Sequence, residues 1–389
     1  MVDLPERTEV RSLARPERAA TRPALGISVV PVAEAELLVP RWQQLALRAA
    51  GDNVFFHPDF AIPAIRHLAP DVSIGVVRGL DGRIAALAPF SLARLGRIAP
   101  AVRLWAHDYA PLGLPLVDRD AMGPAVETLL EGLAPRARGL SFIAPDVPIE
   151  SPVTTALLEA ARRRGSPADV LDEHVRGALE RAAPEQARDP RSELAARRRK
   201  EYARQLRRLA DVGEVRFVAA ILPAEVEASF EHFLALEAKG WKGRRGTALA
   251  SSVATRDFAR AAVAARAAAG QARIDSIELG GRPIAMVVSF AAGVTAWTWK
   301  IAYDEEWSRF SPGAQLMLDV ARLIFSDPTI TTIDSCAIAD HPMINHIWSG
   351  RMAVGTLVIG PPGGSAVHTI GLAAARAEIA ARAAVRRFV

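Results

Sequence analysis

The sequence predicts a mixed α/β protein built of two tandem domains of one design. Three observations carry that expectation. The chain has 389 residues, more than one compact core usually serves. Strand-like and helix-like runs alternate along it, apolar periods of about 2 giving way to periods of about 3.6 and back. One hairpin also occurs twice. Leu80-Asp-Gly-Arg-Ile-Ala85 and Leu279-Gly-Gly-Arg-Pro-Ile-Ala285 share L-x-G-R, then I-A, then an apolar strand holding Phe90 or Phe290.

Residues 1–25 carry mixed charges and no apolar h-region, so they read as a disordered lead rather than a secretory signal. The first domain, 26–185, opens with the apolar run 27–32. A helix follows over 33–50, with Leu37, Leu38, Trp42, Leu45 and Leu47 as its buried stripe. Pro58 is placed to open a short helix. Strands at 72–78 and 84–92 flank Asp81-Gly82, a strong two-residue hairpin signal. Further strand, helix and strand signals run to about 143.

The second domain, 186–389, begins with a charged linker helix over 191–212, holding Arg197, Arg198, Arg199, Lys200, Arg204, Arg207 and Arg208. Leu194, Tyr202, Leu206 and Leu209 give it an apolar side. Such a charge run is most often a solvated face, and it also suits a phosphate-bearing substrate, tRNA or an acidic lipid. The order seen in the first half then returns. A strand spans 214–220, a helix 223–239 (Val226, Phe230, Phe233, Leu234 and Leu236 inward) and a helix 255–269. A hairpin covers 273–290, a third strand 294–302, a helix 312–325 and a strand 329–335. A short helix at 342–348, a strand at 352–359 and an Ala-rich helix over 366–387 finish the chain.

Composition narrows the function classes. Half the residues are hydrophobic, and 48 basic against 43 acidic residues leave a net charge of only +5. An anionic partner is permitted, and nucleic acid is not demanded. A single cysteine, Cys336, excludes an intramolecular disulfide and argues against a thiolate metal site, so no metal is expected. No window approaches the roughly 18 apolar residues of a membrane span. A cytoplasmic protein is the expectation.

The most informative stretch runs from Trp297 to Leu316, where a buried strand enters a loop and Ser311-Pro312-Gly313-Ala314 starts an apolar helix. Ser311 suits the N-cap and Pro312 the first turn. Gly313 leaves the backbone open to a ligand. The free N–H groups of such a helix start, with the helix dipole, form an anion site. Arg309 stands ready to add a charged hydrogen bond.

Several ordered fragments resemble the GNAT (general-control-related N-acetyltransferase) superfamily, in its CelD/BcsL-type acetyltransferase branch. They are Trp241-Lys242-Gly243 with Gly246-Thr247-Ala248, Gly281-Arg-Pro-Ile-Ala285, Lys300-Ile-Ala-Tyr-Asp-Glu305, Ser311-Pro-Gly313, and Asp334-Ser-Cys-Ala337 with Asp340-His-Pro-Met-Ile344. The fold so implied is two tandem GNAT-like (acyl-CoA N-acyltransferase) domains. The first is degenerate and lacks a Ser-Pro-Gly-like helix start. The resemblance implies acetyl-CoA or another acyl-CoA as cosubstrate, and an amine or hydroxyl on a small molecule or glycan precursor as acceptor. It lays the pantetheine arm along 294–302, by Trp299, Lys300 and Ile301. It puts the pyrophosphate on Ser311, Pro312, Gly313 and Ala314, with Arg309. The spacing from Arg309 to Gly313 departs by one residue from the superfamily loop. That departure also suits the tandem Fem-type aminoacyltransferases, which use aminoacyl-tRNA. A non-catalytic subunit of a polysaccharide-synthesis complex is a third reading.

GNAT chemistry needs a base for the acceptor, and the candidates are Glu237, Asp304, Asp334 and His341. Each has an ordinary role too: Glu237 pairing with Lys239 or Lys242, Asp304 with Lys300, Asp334 capping, and His341 anchoring a turn. Trp241, Lys242, Trp297 and Tyr303 are the candidate acceptor contacts, with Trp299 and Trp307 as further aromatics. A Cys336–His341 nucleophile is the weaker reading, since a lone cysteine at a strand end is usually just buried.

Overall fold

The computed structural model describes residues 24–69, 71–133, 141–181 and 189–386. Nearly all of the expected lead, the expected boundary at 185/186 and Arg387 lie outside these residues.

The first half runs β1 (Leu25–Pro31), α1 (Val39–Arg48), α2 (Pro58–Leu68), β2 (Ser73–Gly79), β3 (Ile84–Leu95), β4 (Ala99–Leu104), β5 (Leu116–Val117), α3 (Met122–Leu133), β6 (Ser141–Pro148), α4 (Pro152–Arg163) and β7 (Ala168–Glu180). The second runs α5 (Ala196–Ala210), β8 (Val215–Ala220), α6 (Pro223–Lys239), α7 (Trp241–Arg244), α8 (Val253–Ala268), β9 (Ala272–Leu279), β10 (Arg282–Ala292), β11 (Thr295–Tyr303), α9 (Pro312–Ile324), β12 (Thr332–Asp334), α10 (Ile344–Ile347), β13 (Arg351–Ile359) and α11 (Ala366–Arg386).

The expected helix over 33–50 divides in two, because Val32–Leu38 winds as a 3-10 turn before Pro40 enters the first turn of α1. Leu38, Trp42 and Leu45, spaced 4 and 3 apart, form the buried face. Leu37 and Leu47 lie off that face and are 78% and 77% exposed, against expectation.

One mixed sheet of 13 strands holds both halves, in the order β1-β2-β3-β4-β6-β13-β7-β12-β11-β10-β9-β8, with β5 on β3. The order reads alike from either end. Each half supplies five strands on its side of the centre, and counted inward from the edge the fourth and fifth of each set are parallel, β4 to β6 and β11 to β12. The two central strands are exchanged. β13 from the second half pairs with β6 of the first, and β7 from the first half pairs with β12 of the second. Even a bulge repeats: register slips past Ala85 in one hairpin and past Ile284 in the other, two residues after the shared arginine in both.

The core is likewise shared. Phe60 of α2 packs 5.3 Å from Phe258 of α8 and 5.8 Å from Trp299 of β11, ring centre to ring centre. Edge-to-face aromatic contacts therefore join the halves through apolar burial rather than a polar surface.

Candidate functional site

In the second half, β11 and β12 stay paired only from Thr295–Thr332 to Trp297–Asp334. Beyond that the strands part, and a cleft of about 610 Å³ opens between residues 298–303 and Ser335–Ala337. Helix α6 packs on one face of the sheet with Trp297, Trp299 and Ala302, while α9 packs on the other with Ala296, Ile301 and Tyr303. Residues of both helices line the cleft, so it passes through the sheet. A bulge in β11 prepares this. Ser289 pairs with Thr298 and Val288 with Lys300, so Trp299 has no partner on β10. The skipped residue shifts the side-chain alternation and turns Ile301 and Tyr303 toward α9. The matching gap of the first half is filled: the Gly113 N–H donates to the Pro145 carbonyl at 2.8 Å, and a Cβ on Gly113 would meet that oxygen at 2.6 Å.

On the α9 wall, Ser311, Pro312, Gly313 and Ala314 line the cleft. Ser311 does not cap the helix with its side chain, contrary to expectation. It sits at φ 52°, ψ 45°, whereas side-chain capping needs an extended N-cap backbone. The left-handed conformation of a non-glycine residue costs roughly 1–3 kcal/mol. Cys336 (φ 52°), on the opposite lip, and nearby Asp340 (φ 56°) share it. Pro312 has no N–H, and those of Gly313 and Ala314 meet no partner among the described residues. A Cβ on Gly313 would touch Met343, Ile301 and Tyr303 at 3.5–3.7 Å, so alanine fits and a large side chain fills the space.

On the α6 wall, Glu237 is buried, its Oε1 receiving the Lys242 ammonium at 2.9 Å and its Oε2 the Leu249 N–H at 2.8 Å. Lys242 also donates to the Ile301 carbonyl at 2.9 Å. Lys300 is half-buried, and its ammonium stands 4.6 Å from the centre of the Tyr109 ring. Burial, then the nearby charge of Lys242, brings its pKa down to about 8. Trp241 is 42% exposed at the rim.

His341 lines the cleft, and its Nδ1 accepts the Met343 and Ile344 N–H groups, both at 3.3 Å. Burial holds its pKa below the ordinary histidine value. The neutral ring then carries its proton on Nε2 and offers a donor there, not a base. Cys336 lines the cleft as well, but burial and the neighbouring Asp334 push its thiol well up, which opposes a nucleophilic thiolate.

Of the expected site residues, the cleft gathers Glu237, Trp241, Lys242, Trp299, Lys300, Ile301, Tyr303, Ser311, Pro312, Gly313, Ala314 and His341. Others lie elsewhere. Asp304 binds the Lys239 ammonium at 2.8 Å and does not line the cleft. Asp334 lies beneath the floor, 3.4 Å from Arg176. Arg309 is exposed and lies over the Phe310 ring. Trp297 is buried against Phe55, and Trp307 stacks on Phe310. Trp299 has its indole in the shared core, where Nε1 donates to the Tyr109 carbonyl at 2.8 Å. The sequence reading missed Tyr202 of α5 and His346 of α10, which also line the cleft, and the first-half loop of Asp108 and Tyr109. That loop lies about 190 residues from Lys300 in the chain, and nothing local marks it.

Residues 196–341 match the family described as "Acetyltransferase (GNAT) domain". No curated protein matches the chain in sequence. Solved structures similar to it include FemX, at 11% identity and TM-score 0.55, covering 82% of this chain and 95% of that one. The C-terminal domain of a putative lysylphosphatidylglycerol synthetase from Agrobacterium fabrum aligns at 12% identity and TM-score 0.53, covering 87% and 96%. The L-PGS structure from Bacillus licheniformis aligns at 11% and 0.50, covering 87% and 96%. At these identities the likeness is one of fold.

Proposed function

We propose that this chain, which carries a GNAT acetyltransferase domain at residues 196–341, moves an acyl group from acyl-CoA to an amine or hydroxyl acceptor. The observation that carries the reading is the cleft through the sheet, with free N–H groups of Gly313 and Ala314 on one face and the Glu237 carboxylate on the other. A pyrophosphate fits the α9 start: two unpaired donors, a helix dipole and no side chain at Gly313. The acyl-CoA thioester supplies an activated carbonyl whose C–S bond breaks as the acceptor's bond to carbon forms.

The protein's own groups then have distinct tasks. Glu237 takes the acceptor's proton as it attacks. Lys242 and the Leu249 N–H fix the carboxylate in the cleft. The Nε2–H of His341 serves as a donor to an oxygen of the bound substrates. Asp304 and Asp334, committed elsewhere, take no part. By its resemblance to the CelD/BcsL branch, the acceptor is a glycan or cell-envelope precursor.

Calorimetric titration with acetyl-CoA, longer acyl-CoAs and free CoA tests this, repeated on Gly313→Trp. Saturable binding that the variant loses supports the α9 site. Absence of binding by every CoA species overturns it.

A second reading, aminoacyl transfer from tRNA, draws on the FemX-like fold and on α5, whose Tyr202 borders the cleft beside the exposed Arg197, Arg199 and Lys200. It requires salt-sensitive RNA binding that disappears when Arg197, Arg198, Arg199 and Lys200 are neutralised.

A further inference from the structure

The acceptor side of the cleft holds two ammonium groups and one carboxylate, and only one of the cations is matched. Lys242 is held by Glu237 and by the Ile301 carbonyl, both at 2.9 Å. Lys300 has no carboxylate within ion-pair distance among the described residues. Its hydrogen bond is a long one, 3.5 Å to the Asp108 carbonyl. Ring faces flank it, Tyr109 at 4.6 Å and Trp299 at 5.9 Å, while the Glu237 and Asp108 carboxylates act on it through space without an ion pair. An ammonium has three donors, so at least two meet no partner among the described residues. Ring faces attract a cation, yet they do not neutralise it. A half-buried lysine kept in this state holds a positive potential in a confined space.

The placement is deliberate in the sense that both halves make it. Asp108 and Tyr109 come from the first half, and the Tyr109 carbonyl is itself fixed by the Trp299 indole at 2.8 Å. Because Trp299 is the bulged residue of β11, one irregularity anchors the loop and re-aims the residue that follows. The free donors of α9 border the same cleft from the opposite face of the sheet, so the two anion-attracting features serve different ends of it.

We infer that the acceptor carries a compact anionic group, carboxylate or phosphate, which docks on Lys300 while its amine or hydroxyl faces Glu237. This deepens the acyl-transfer reading and rests on it. A ligand anion restores the charge balance of the wall, and a neutral acceptor leaves Lys300 unmatched. The first half thereby takes part in choosing the acceptor, through Tyr109, although its own cleft is filled.

The test uses the full-length protein, acetyl-CoA and paired amines that differ by one anionic group: glycine with glycinamide, and glucosamine 6-phosphate with glucosamine. Release of free CoA gives KM and kcat, and titration of the same compounds into the CoA-bound protein gives binding without turnover. In the wild type the acidic member of at least one pair binds, with KM about ten-fold or more below its neutral partner, the scale of one charged hydrogen bond. Whether glycine or glucosamine 6-phosphate shows the gap tells carboxylate from phosphate. Lys300→Met abolishes the gap by raising the KM and weakening the binding of the acidic member to the level of its neutral partner. Lys300→Arg recovers part of the preference. Equal use of acidic and neutral members, no binding by either acidic probe, or lost acetyl-CoA affinity in Lys300→Met each overturns the inference. The acyl-CoA reading fails separately, by absence of acetyl-CoA binding to the wild type.

Discussion

Arg176 and Asp334 form a nearly sealed ion pair across the junction of the two halves, Nε to Oδ1 at 3.4 Å, with side chains 3% and 4% exposed. Arg176 belongs to β7 of the first half and Asp334 to β12 of the second. Arg176 also donates to the Pro111 carbonyl at 3.1 Å, and Asp334 accepts the Cys336 N–H at 2.9 Å. One carboxylate thus holds both an arginine from the other half and the strained residue at the lip of the cleft.

Removing one partner of such a pair strands the other charge out of water, which typically costs about 3–5 kcal/mol. Arg176→Ala is therefore expected to lower unfolding free energy by about that amount, read from urea denaturation. It should also weaken acetyl-CoA binding, because the Asp334 carboxylate that anchors the Cys336 backbone loses the arginine that holds it in place. A loss below about 1 kcal/mol would mean that the Cys336 N–H alone satisfies Asp334.

The exchange of β7 and β13 makes a second expectation. Residues 1–185 expressed alone lack β13, which leaves long edges on β6 and β7, and residues 186–389 alone lack β7 beside β12. Each piece also exposes half of the Phe60–Phe258–Trp299 core. Neither piece should unfold cooperatively by itself. Co-expressed, the two should purify as one complex with a single thermal transition. A soluble, cooperatively folding first half would show that the exchanged strand is dispensable.

Glu237 is the base in the proposed chemistry, and its neighbours set the control. Glu237→Gln retains an acceptor for one of its two donors but takes up no proton. A fall in kcat of about 10²–10⁴ is expected, with acetyl-CoA affinity kept. Asp304→Asn breaks only the outer pairing with Lys239 and should leave kcat within about two-fold. Equal losses in both variants would remove Glu237 from the role.

The element order was legible because it is written in local patterns. Pro223–Lys239 was bounded as observed, with Val226, Phe230, Phe233, Leu234 and Leu236 all buried, since a proline start and a 3–4 spacing need no tertiary knowledge. The repeated hairpin pointed to a duplication that the sheet order repeats. Strand exchange was not legible, because β13 carries the same apolar alternation whichever neighbour it meets. At the site, the Ser311-Pro312-Gly313 start was found from sequence, but its left-handed Ser311 was not, for a Ser-Pro start predicts an ordinary cap. Trp297 was misread because a buried strand and a ligand wall have one composition. Asp304 and Asp334 looked like bases only while the partners that occupy them, Lys239 and Arg176, were far away in the chain or unplaced.

Acid should loosen the junction of the halves. Burial, with Arg266 of α8 adding repulsion, brings the pKa of His57 to about 3. Burial, with Lys300 adding repulsion, brings that of His107 to about 4. His57 faces Asp59 at 3.4 Å as well as Arg266, and His107 lies against Trp105, Tyr109 and Phe258. Unfolded, both rings titrate near 6.5. Between pH 6.5 and 4, therefore, the unfolded chain binds two protons that the folded one refuses, and stability falls as pH falls. Above pH 6.5 both states carry neutral rings, and this dependence vanishes. Urea midpoints at pH 7.5, 6 and 5 should decline over the lower interval. His57→Asn with His107→Phe should flatten that decline, because the variant has no ring to protonate. An unchanged slope in the double variant would assign the acid sensitivity to the carboxylates instead.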